Sequence, residues 1–314
     1  MREALDLVFC GTPAFAVPTL EKLAAAGHRI PLVVTQPDKP RGRGLELTAS
    51  PVKESAVKLG IPVIQPERIK NNEEFRGQLS AIHPNAIVVV GYGRIIPQWM
   101  IALPALGNIN LHASLLPKYR GAAPMQWAIA NGETITGVTT MKIDAGLDTG
   151  DILLQREVAI GVEDTAEILA PRLASIGADL VVETLDSLRD GTIRPQPQDE
   201  SQATLAPLLT KEDGLIDFSR SAAEIYNRLR GFQPWPGAYS FFRGKKLQVH
   251  SARPSRGDLQ FPRASLIASG DQLFVACGHA SALEIRELQI EGKKRMPARD
   301  FIHGYHPGAG EKLG

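Results

Sequence analysis

Short apolar runs that alternate with helical patterns fill the first 113 residues and constrain the fold more than any other feature. The apolar runs lie at 5–10, 30–36, 61–65, 85–93 and 108–113, and the helical patterns at 14–27, 52–60 and 73–82. Near-continuous Val and Ile runs joined by amphipathic helices are typical of a parallel sheet with helices on both faces. The sequence therefore predicts an α/β fold with a doubly wound, mostly parallel sheet. Longer strands at 137–143 and 151–160 are expected to form a hairpin, followed by a helix at 163–189.

A change of composition and hydrophobic periodicity after residue 189 predicts a second domain. Residues 190–207 are polar, rich in proline and without periodicity, which is typical of a linker. One helical pattern (221–230) and five short strand patterns between 238 and 290 follow. Short, closely spaced strands favour a small β-barrel. We therefore expect a first domain at 1–189, a linker at 190–208 and a barrel domain at 209–314.

Charge is divided unevenly between these parts, although the whole chain carries only +1. Residues 1–208 have a net charge of −4 and residues 209–314 a net charge of +5. A polyanion bound by the C-terminal third would explain this division, and so would chance. Cys10 and Cys277 lie far apart, and no apolar run is long enough to cross a membrane. We expect a reduced, cytoplasmic protein without a membrane partner, and a monomer, since nothing marks a dimer surface.

Several common chemistries lack their sequence signatures here. The first strand is followed by GTPAF, which has one glycine where a dinucleotide-binding turn needs three, so NAD and FAD are disfavoured. The pattern of a serine nucleophile, GxSxG, is absent, and the acidic residues near 144–151 do not match a calcium loop. With a single histidine nearby, no metal site is expected.

The stretch NINLHASLLPKYRG (108–121) is the most specific feature of the chain. In a strand, Asn108, Asn110 and His112 share one face, and that face ends where ligands gather in an open α/β sheet. The alternative, purely structural interpretation is that Asn110 caps a loop and His112 is a core histidine with satisfied hydrogen bonds. Asp148, in the Gly-rich turn at 144–151, can add a carboxylate to the same crevice. An amide, an imidazole and a carboxylate can stabilise an oxyanion and move a proton, which suits direct acyl transfer.

These motifs carry a family resemblance. LHASLLPKYRGAAP (111–124), preceded by Asn110 and followed by IDAGLDTGDIL (143–153), resembles the signature of formyltransferases that use 10-formyltetrahydrofolate. FCGTPAFAVPTL (9–20), the stretch 35–53 and the stretch 208–239 resemble, within that group, the methionyl-tRNA formyltransferases. The resemblance spans nearly the whole chain. It implies a Rossmann-like first domain, an OB-like second domain, and no metal or redox cofactor.

The resemblance also implies roles for particular residues. Asn110 and His112 would bind the formyl oxygen as it becomes negative, and Asp148 would orient His112. Phe15 is a candidate for the methionine pocket, with a plain core position as the alternative. The folate co-substrate would lie against a larger set of residues: Ser114, Leu115, Leu116 and Pro117, then Gly91, Tyr92, Gly93 and Ile95, then Ile143 and Asp144.

Two groups of basic residues are candidates for binding tRNA. Lys39, Arg41 and Arg43 lie in DKPRGRG (38–44), a Gly/Pro loop longer than a strand-to-helix connection needs. Lys245, Lys246, Lys293 and Lys294 lie in predicted strand connections of the basic domain. In both cases the structural alternative is solvated surface charge.

Transfer of a formyl group to the α-amino group of initiator methionyl-tRNA is therefore the function that the resemblance implies. Formyl transfer to a sugar nucleotide or another small amine is the nearest alternative, although it would not need a basic loop. A tRNA- or folate-binding module without catalysis is the alternative from another class, and the joint presence of Asn110, His112 and Asp148 argues against it.

Replacing Arg43 with Ala tests the expected tRNA-binding loop. If Arg43 contacts a phosphate, the variant should bind tRNA more weakly, and the slope of log K against log salt should flatten by about one unit. The measurement is binding of tRNA across a series of salt concentrations. An unchanged slope would show that Arg43 meets no phosphate.

Overall fold

The computed structural model describes residues 3–41, 46–255 and 261–314. The chain divides into two compact units. Unit 1 comprises Met1–Pro124, Ile135–Ala159 and Ala170–Ala206, and unit 2 comprises Met125–Thr134, Ile160–Leu169 and Pro207–Gly314.

The strands and helices largely follow the predicted periodicity. The strands are β1 (Asp6–Gly11), β2 (Arg29–Val34), β3 (Lys39–Arg41), β4 (Glu46–Thr48), β5 (Val63–Ile64), β6 (Ala86–Val90), β7 (Asn108–His112), β8 (Ile135–Lys142), β9 (Ile152–Ala159), β10 (Ala238–Phe242), β11 (Lys245–Ser255), β12 (Leu266–Ser269), β13 (Gln272–Cys277), β14 (Ser281–Ile290) and β15 (Met296–Pro297). The helices are α1 (Val17–Ala25), α2 (Pro51–Lys58), α3 (Glu73–Ile82), α4 (Gln98–Ile101), α5 (Pro124–Ala130), α6 (Ala166–Arg189), α7 (Ala222–Gly231) and α8 (Ala298–Tyr305).

The sheet of unit 1 runs in the order β5-β2-β1-β6-β7-β8-β9 within the described part of the chain. The neighbours from β5 to β7 are parallel, whereas β7–β8 and β8–β9 are antiparallel. This confirms the predicted doubly wound, mostly parallel sheet and the hairpin of the two longer strands.

Helix starts in unit 1 are fixed by local caps. The Ser50 hydroxyl accepts a hydrogen bond from the Lys53 amide at 3.1 Å before α2, and Asn72 accepts one from Phe75 at 3.0 Å before α3. Such caps satisfy amide donors that the first turn leaves without partners. Strands β1 and β6 are almost wholly buried, so these helices cover the sheet from which the site projects.

The register of the central strands places three carboxyl ends at one edge of the sheet. Gly11, the last residue of β1, is aligned with Val90 at the end of β6, and Val89 is aligned with Asn110 of β7. Ligands of open α/β sheets bind at this edge. His112, the last residue of β7, therefore ends its strand at the expected location.

Unit 2 contains an antiparallel sheet in the order β10-β11-β14-β13-β12, with β15 paired to β14. The C-terminal segment of unit 2 forms hydrogen bonds at or next to both edge strands of this sheet, β10 and β12. The amide of Leu313 donates to the carbonyl of Ala264, next to β12, and the amide of Gly314 donates to the carbonyl of Phe241 in β10. The segment 310–314 thus closes the sheet toward the barrel that the sequence predicts.

Replacing Leu313 with Ala tests this closure. Leu313 is 3% exposed and belongs to the core of unit 2, so the truncation should lower the free energy of unfolding by about 2–5 kcal/mol. Lys312→Ala, a neighbouring truncation of a less buried residue, should change it by no more than about 0.5 kcal/mol. Equal effects of the two substitutions, measured by chemical denaturation, would contradict the packing of Leu313.

Candidate active site

The two asparagines on the polar face of β7 differ in their hydrogen bonds. The Asn108 side chain is buried and donates hydrogen bonds to the carbonyls of Met100 and Ile101 at 2.9 and 3.0 Å, which holds the end of α4. Asn110 is half-buried, and its amide makes no hydrogen bond within the described residues. Asn110 therefore has a free donor at the edge of the sheet, two residues before His112.

His112 is buried, with 6% of its side chain exposed. Its Nε2 atom lies 2.8 Å from the carbonyl oxygen of Tyr119. Because a carbonyl oxygen only accepts, Nε2 carries a hydrogen and donates it. The other nitrogen, Nδ1, lies 3.6 Å from the Asp148 carboxylate, which is longer than a hydrogen bond. Backbone and carboxylate together fix the orientation of the ring.

The Asp148 carboxylate is also held by a backbone amide. Its Oδ2 atom, the one nearest His112, accepts a hydrogen bond from the amide of Gly121 at 2.8 Å. Asp148 has a φ of 53° and Tyr119 a φ of 63°, both in the left-handed region that non-glycine residues seldom adopt. Strained residues of this kind cluster at functional sites, where the surroundings enforce them. Both residues that face the His112 ring nitrogens thus have strained backbones.

The segment after β7 is locked to the neighbouring strands. The Thr139 hydroxyl donates to the Ser114 carbonyl at 2.6 Å and accepts from the Leu116 amide at 3.2 Å. Gln155 donates to the Leu116 carbonyl and to the Thr139 hydroxyl, both at 2.9 Å. Pro117 is half-buried and follows a cis peptide bond.

The side chains proposed for folate contact in this segment are largely internal. Ser114 is fully buried and donates to the Lys118 carbonyl at 2.6 Å, and Leu116 is 3% exposed. Leu115 is half-buried and lies so close to Gly137 that a Cβ there would come within 2.5 Å of its side chain. Several backbone groups of this segment are also engaged, since the carbonyls of Leu115 and Pro117 accept hydrogen bonds from the amides of Lys118 and Thr204.

The turn after β6 presents backbone and one exposed side chain. Gly91 and Gly93 have φ values of 55° and 74°, which glycine adopts without strain. Tyr92 is 1% exposed, and its carbonyl accepts a hydrogen bond from the Gln36 side chain at 2.8 Å. Ile95, in contrast, is 90% exposed.

The turn between β8 and β9 is stabilised by its own carboxylate. Asp144 accepts hydrogen bonds from the Gly146 amide at 3.0 Å and from the Thr149 hydroxyl at 2.8 Å. Asp144 is exposed, whereas Ile143 is half-buried against the core. This turn leads directly to Asp148, so its internal hydrogen bonds help to place that carboxylate.

The remaining candidates of unit 1 lie in less defined positions. Phe15 is half-buried in a single helical turn (Ala14–Ala16) that follows β1. Lys39 is exposed and begins β3, so the predicted loop starts as a strand that pairs with β4. Arg41 ends that strand, and Arg43 lies outside the described residues.

The lysines of unit 2 lie on two neighbouring chain segments. Lys245 and Lys246 open β11, while Lys293 and Lys294 lie in the turn after β14, and all four are exposed. The amide of Glu291 donates to the carbonyl of Lys246, which brings the two segments together. The Lys246 ammonium also lies 3.8 Å from the centre of the Tyr239 ring.

Clusters of metal-ligating side chains and reactive thiols are two further features to consider in the described residues. No group of three or more His, Cys, Asp or Glu side chains there could hold a metal ion. Burial raises the pKa of the Cys10 thiol and raises that of Cys277 to about 11. Both thiols therefore stay protonated near neutral pH and are poor nucleophiles.

A hydrogen-bond network that joins Arg120, Gln198 and Glu200 to the Asp148 turn was not predicted from the sequence. Arg120 is buried and binds the Glu200 carboxylate through two hydrogen bonds of 2.9 and 2.8 Å. The Glu200 hydrogen bond raises the pKa of the guanidinium. Gln198 accepts from Arg120 and donates to the Asp148 carbonyl. These contacts join residues about 50 to 80 positions apart and leave no periodic signal in the sequence.

Family models match both parts of the chain. Residues 6–185 match the formyl transferase model, and residues 208–306 match the model of the formyl transferase C-terminal domain. A methionyl-tRNA formyltransferase of Koribacter versatilis is 66% identical over 308 residues, or 98% of each chain. Another, of Acidobacterium capsulatum, is 64% identical over 301 residues, or 96% of each chain.

This chain belongs to the methionyl-tRNA formyltransferase family.

Solved structures agree with the fold of this formyltransferase. WlaRD, a sugar 3N-formyl transferase determined in the presence of dTDP and 5-N-formyl-THF, matches with a TM-score of 0.67 at 18% identity. The match covers 93% of this chain and 100% of WlaRD. HypX of Aquifex aeolicus in complex with tetrahydrofolic acid matches with a TM-score of 0.62 at 16% identity, over 98% of this chain and 48% of HypX. At these identities the likeness supports the fold alone.

Among the described residues of this formyltransferase, no helix combines the length and apolar character needed to span a bilayer.

Replacing Thr139 with Val tests the lock on the segment 114–117. Valine keeps the shape of Thr139 but leaves three hydrogen-bonding groups without their partner, so stability should fall by about 1–3 kcal/mol. Formyl transfer should fall with it, because the segment that leads from His112 to Tyr119 loosens. Thr136→Val, on the same strand and also buried, should leave formyl transfer near its wild-type rate. Loss of activity in both variants alike would contradict a specific lock.

Proposed function

We propose that this protein transfers the formyl group of 10-formyltetrahydrofolate to the α-amino group of methionyl initiator tRNA. The observation that carries the proposal is that Asp148 faces His112 at the end of β7, the strand that also contains Asn110, in a chain 66% identical to a methionyl-tRNA formyltransferase. Folate is then a co-substrate and tRNA the acceptor.

The reaction exchanges one carbon–nitrogen bond for another. The neutral amine of the methionyl ester attacks the formyl carbon, the bond to the folate nitrogen breaks, and one proton passes from the amine to that nitrogen. As the carbon becomes tetrahedral, its oxygen becomes negative, and donors aimed at that oxygen lower the barrier.

Asn110 is the donor that is already available for this oxygen. Its amide makes no hydrogen bond within the described residues and lies at the carboxyl edge of the sheet. His112 differs, because Nε2 donates to Tyr119 and Nδ1 faces Asp148. A formyl oxygen therefore binds this imidazole only by replacing or sharing one of those two contacts. Asp148 keeps the ring in place during that exchange.

The exposed cations supply the recognition of tRNA in this proposal. Lys245, Lys246, Lys293 and Lys294 are exposed on two adjoining segments of unit 2, and exposed lysines suit contacts to a phosphate backbone. Lys39, Arg41 and Arg43 belong to a separate candidate loop of unit 1. Binding through such contacts depends on salt and carries no base specificity.

A formylation assay tests the function directly. The protein is incubated with 10-formyltetrahydrofolate and either charged initiator tRNA or an amino sugar nucleotide, and formylated product is measured by mass spectrometry. Formylmethionyl-tRNA is the expected product. Product from the amino sugar alone, or no product from either acceptor, would contradict the proposal.

Replacing Asn110 with Asp tests the role of the amide. The substitution removes the N–H donor and places a negative charge where the oxyanion would form, so kcat should fall by about 100- to 1000-fold or more. The same change at Asn71, which lies in an exposed turn, serves as the control and should leave kcat unchanged. Wild-type turnover of the Asn110→Asp variant would exclude the oxyanion role.

A further inference from the structure

Residues 196–206, which we name the brace, contact both loops that hold His112. The brace lies within the stretch that the sequence predicts as a linker. Gln196 exchanges two backbone hydrogen bonds with Ile152 at 2.8 and 2.9 Å, beside the turn that carries Asp148. Thr204 accepts a hydrogen bond from the Arg120 amide at 2.8 Å, and the Ala206 amide donates to the Arg120 carbonyl at 2.7 Å.

Gln198 is the side chain of the brace that joins the two loops. Its Nε2 atom donates to the carbonyls of Asp148 at 2.8 Å and Gly150 at 2.7 Å. Its Oε1 atom accepts from the Arg120 guanidinium at 2.8 and 3.0 Å. Both N–H groups and both lone pairs of the amide are therefore used. A single side chain bridges the backbone of the Asp148 turn and the residue that follows Tyr119.

The brace also contacts both strained residues next to His112. Asp148 and Tyr119 adopt left-handed backbone conformations, which persist only where the surroundings enforce them. Gln198 binds the carbonyl of Asp148, and the Thr204 hydroxyl accepts from the Tyr119 amide at 2.8 Å. The carbonyl of Tyr119 in turn binds His112. Tyr119 and Asp148, the two residues that orient the imidazole, therefore each have a backbone group bound directly by the brace.

We propose that Gln198 is a positioning residue for formyl transfer, which sets the Asp148 carboxylate against His112 by binding the backbone of the Asp148 turn. The inference rests on the proposed function, since it concerns the geometry of the same site. Gln198 touches neither substrate in this role. Its contribution should therefore appear in kcat and depend on Asp148.

Gln198→Glu is the most informative substitution, because it removes the N–H donors of the side chain and keeps an oxygen acceptor. A glutamate still accepts from Arg120 but has no N–H for the carbonyls of Asp148 and Gly150, and it places a charged oxygen beside them. A small displacement of a catalytic group costs up to about 100-fold in rate. We expect kcat to fall about 10- to 100-fold, with KM for folate and for tRNA changed less than about threefold.

Gln202→Glu is the matched control. It makes the same chemical change four positions away in the brace, at an exposed side chain that donates to Asp199. Wild-type kcat is expected. If Gln202→Glu lowers kcat as much as Gln198→Glu does, a general weakening of the segment explains both results and the proposal is overturned.

A double-mutant cycle with Asp148→Asn separates positioning from mere stability. If Gln198 acts through Asp148, adding Gln198→Glu to Asp148→Asn should lower the remaining rate by less than about threefold, measured over single turnovers. A purely structural role would lower the rate of either background by the same factor. Equal factors in the two backgrounds would overturn the proposal.

Hydrogen exchange gives a readout that does not require activity. Amides of the turn 144–151 should exchange faster in Gln198→Glu than in wild type or Gln202→Glu, at an unchanged global unfolding midpoint. Unchanged exchange together with wild-type kcat would refute the role of Gln198. Faster exchange in a protein whose wild type forms no formylmethionyl-tRNA would instead support the brace contact and refute the proposed function.

Discussion

The orientation of one imidazole is the constraint on which the rest of the site depends. His112 is fixed by a backbone carbonyl on one nitrogen and faces a carboxylate with the other, and that carboxylate is itself held by the Gly121 amide. Two left-handed, non-glycine residues, Tyr119 and Asp148, present these groups. Because such conformations are costly, the chain must enforce them from outside. Gln198, which donates to the Asp148 carbonyl, and the Thr204 hydroxyl, which accepts from the Tyr119 amide, contact these two residues directly.

The fold brings the candidate residues to one edge of the sheet, with His112 at the end of a strand and Asp148 in a turn. Parallel strands bring Gly11, Val90 and His112 to one side of the sheet, and the change to antiparallel pairing at β8 returns the chain beside β7. The turn after β8 can then carry Asp148 back to the end of β7. In a chain of the methionyl-tRNA formyltransferase family, a doubly wound sheet thereby positions His112 and Asp148 without the glycine fingerprint that dinucleotide-binding sheets use. The Asn110 side-chain amide there has no hydrogen bond within the described residues, whereas the His112 imidazole is held by the Tyr119 carbonyl.

Local patterns predicted the fold well and the supporting contacts poorly. The alternation in Asn108–His112 predicted the polar face of β7, and the long strands flanking residues 144–150 predicted the β8–β9 hairpin. Helices α4, α5 and α8 were missed; α4 and α5 have too few residues for a clear helical period, whereas α8 is as long as α2, which was predicted. Gln198 and Thr204 lie in a proline-rich polar stretch whose contacts reach across about 50 to 85 positions. Only tertiary structure reveals such contacts, and the same holds for the burial of Ser114.

The most direct measurement is a crystal structure of the protein with bound 10-formyl-5,8-dideazafolate, a stable analogue that carries its formyl group on the same nitrogen as the proposed co-substrate. The central claim is that the donors at the end of β7 take hold of the formyl oxygen. The account predicts that oxygen within about 3 Å of the Asn110 amide nitrogen, with a nitrogen of His112 at a similar distance. A formyl oxygen that lies more than about 5 Å from both side chains, with the ring system of the analogue ordered in the crevice, would contradict it.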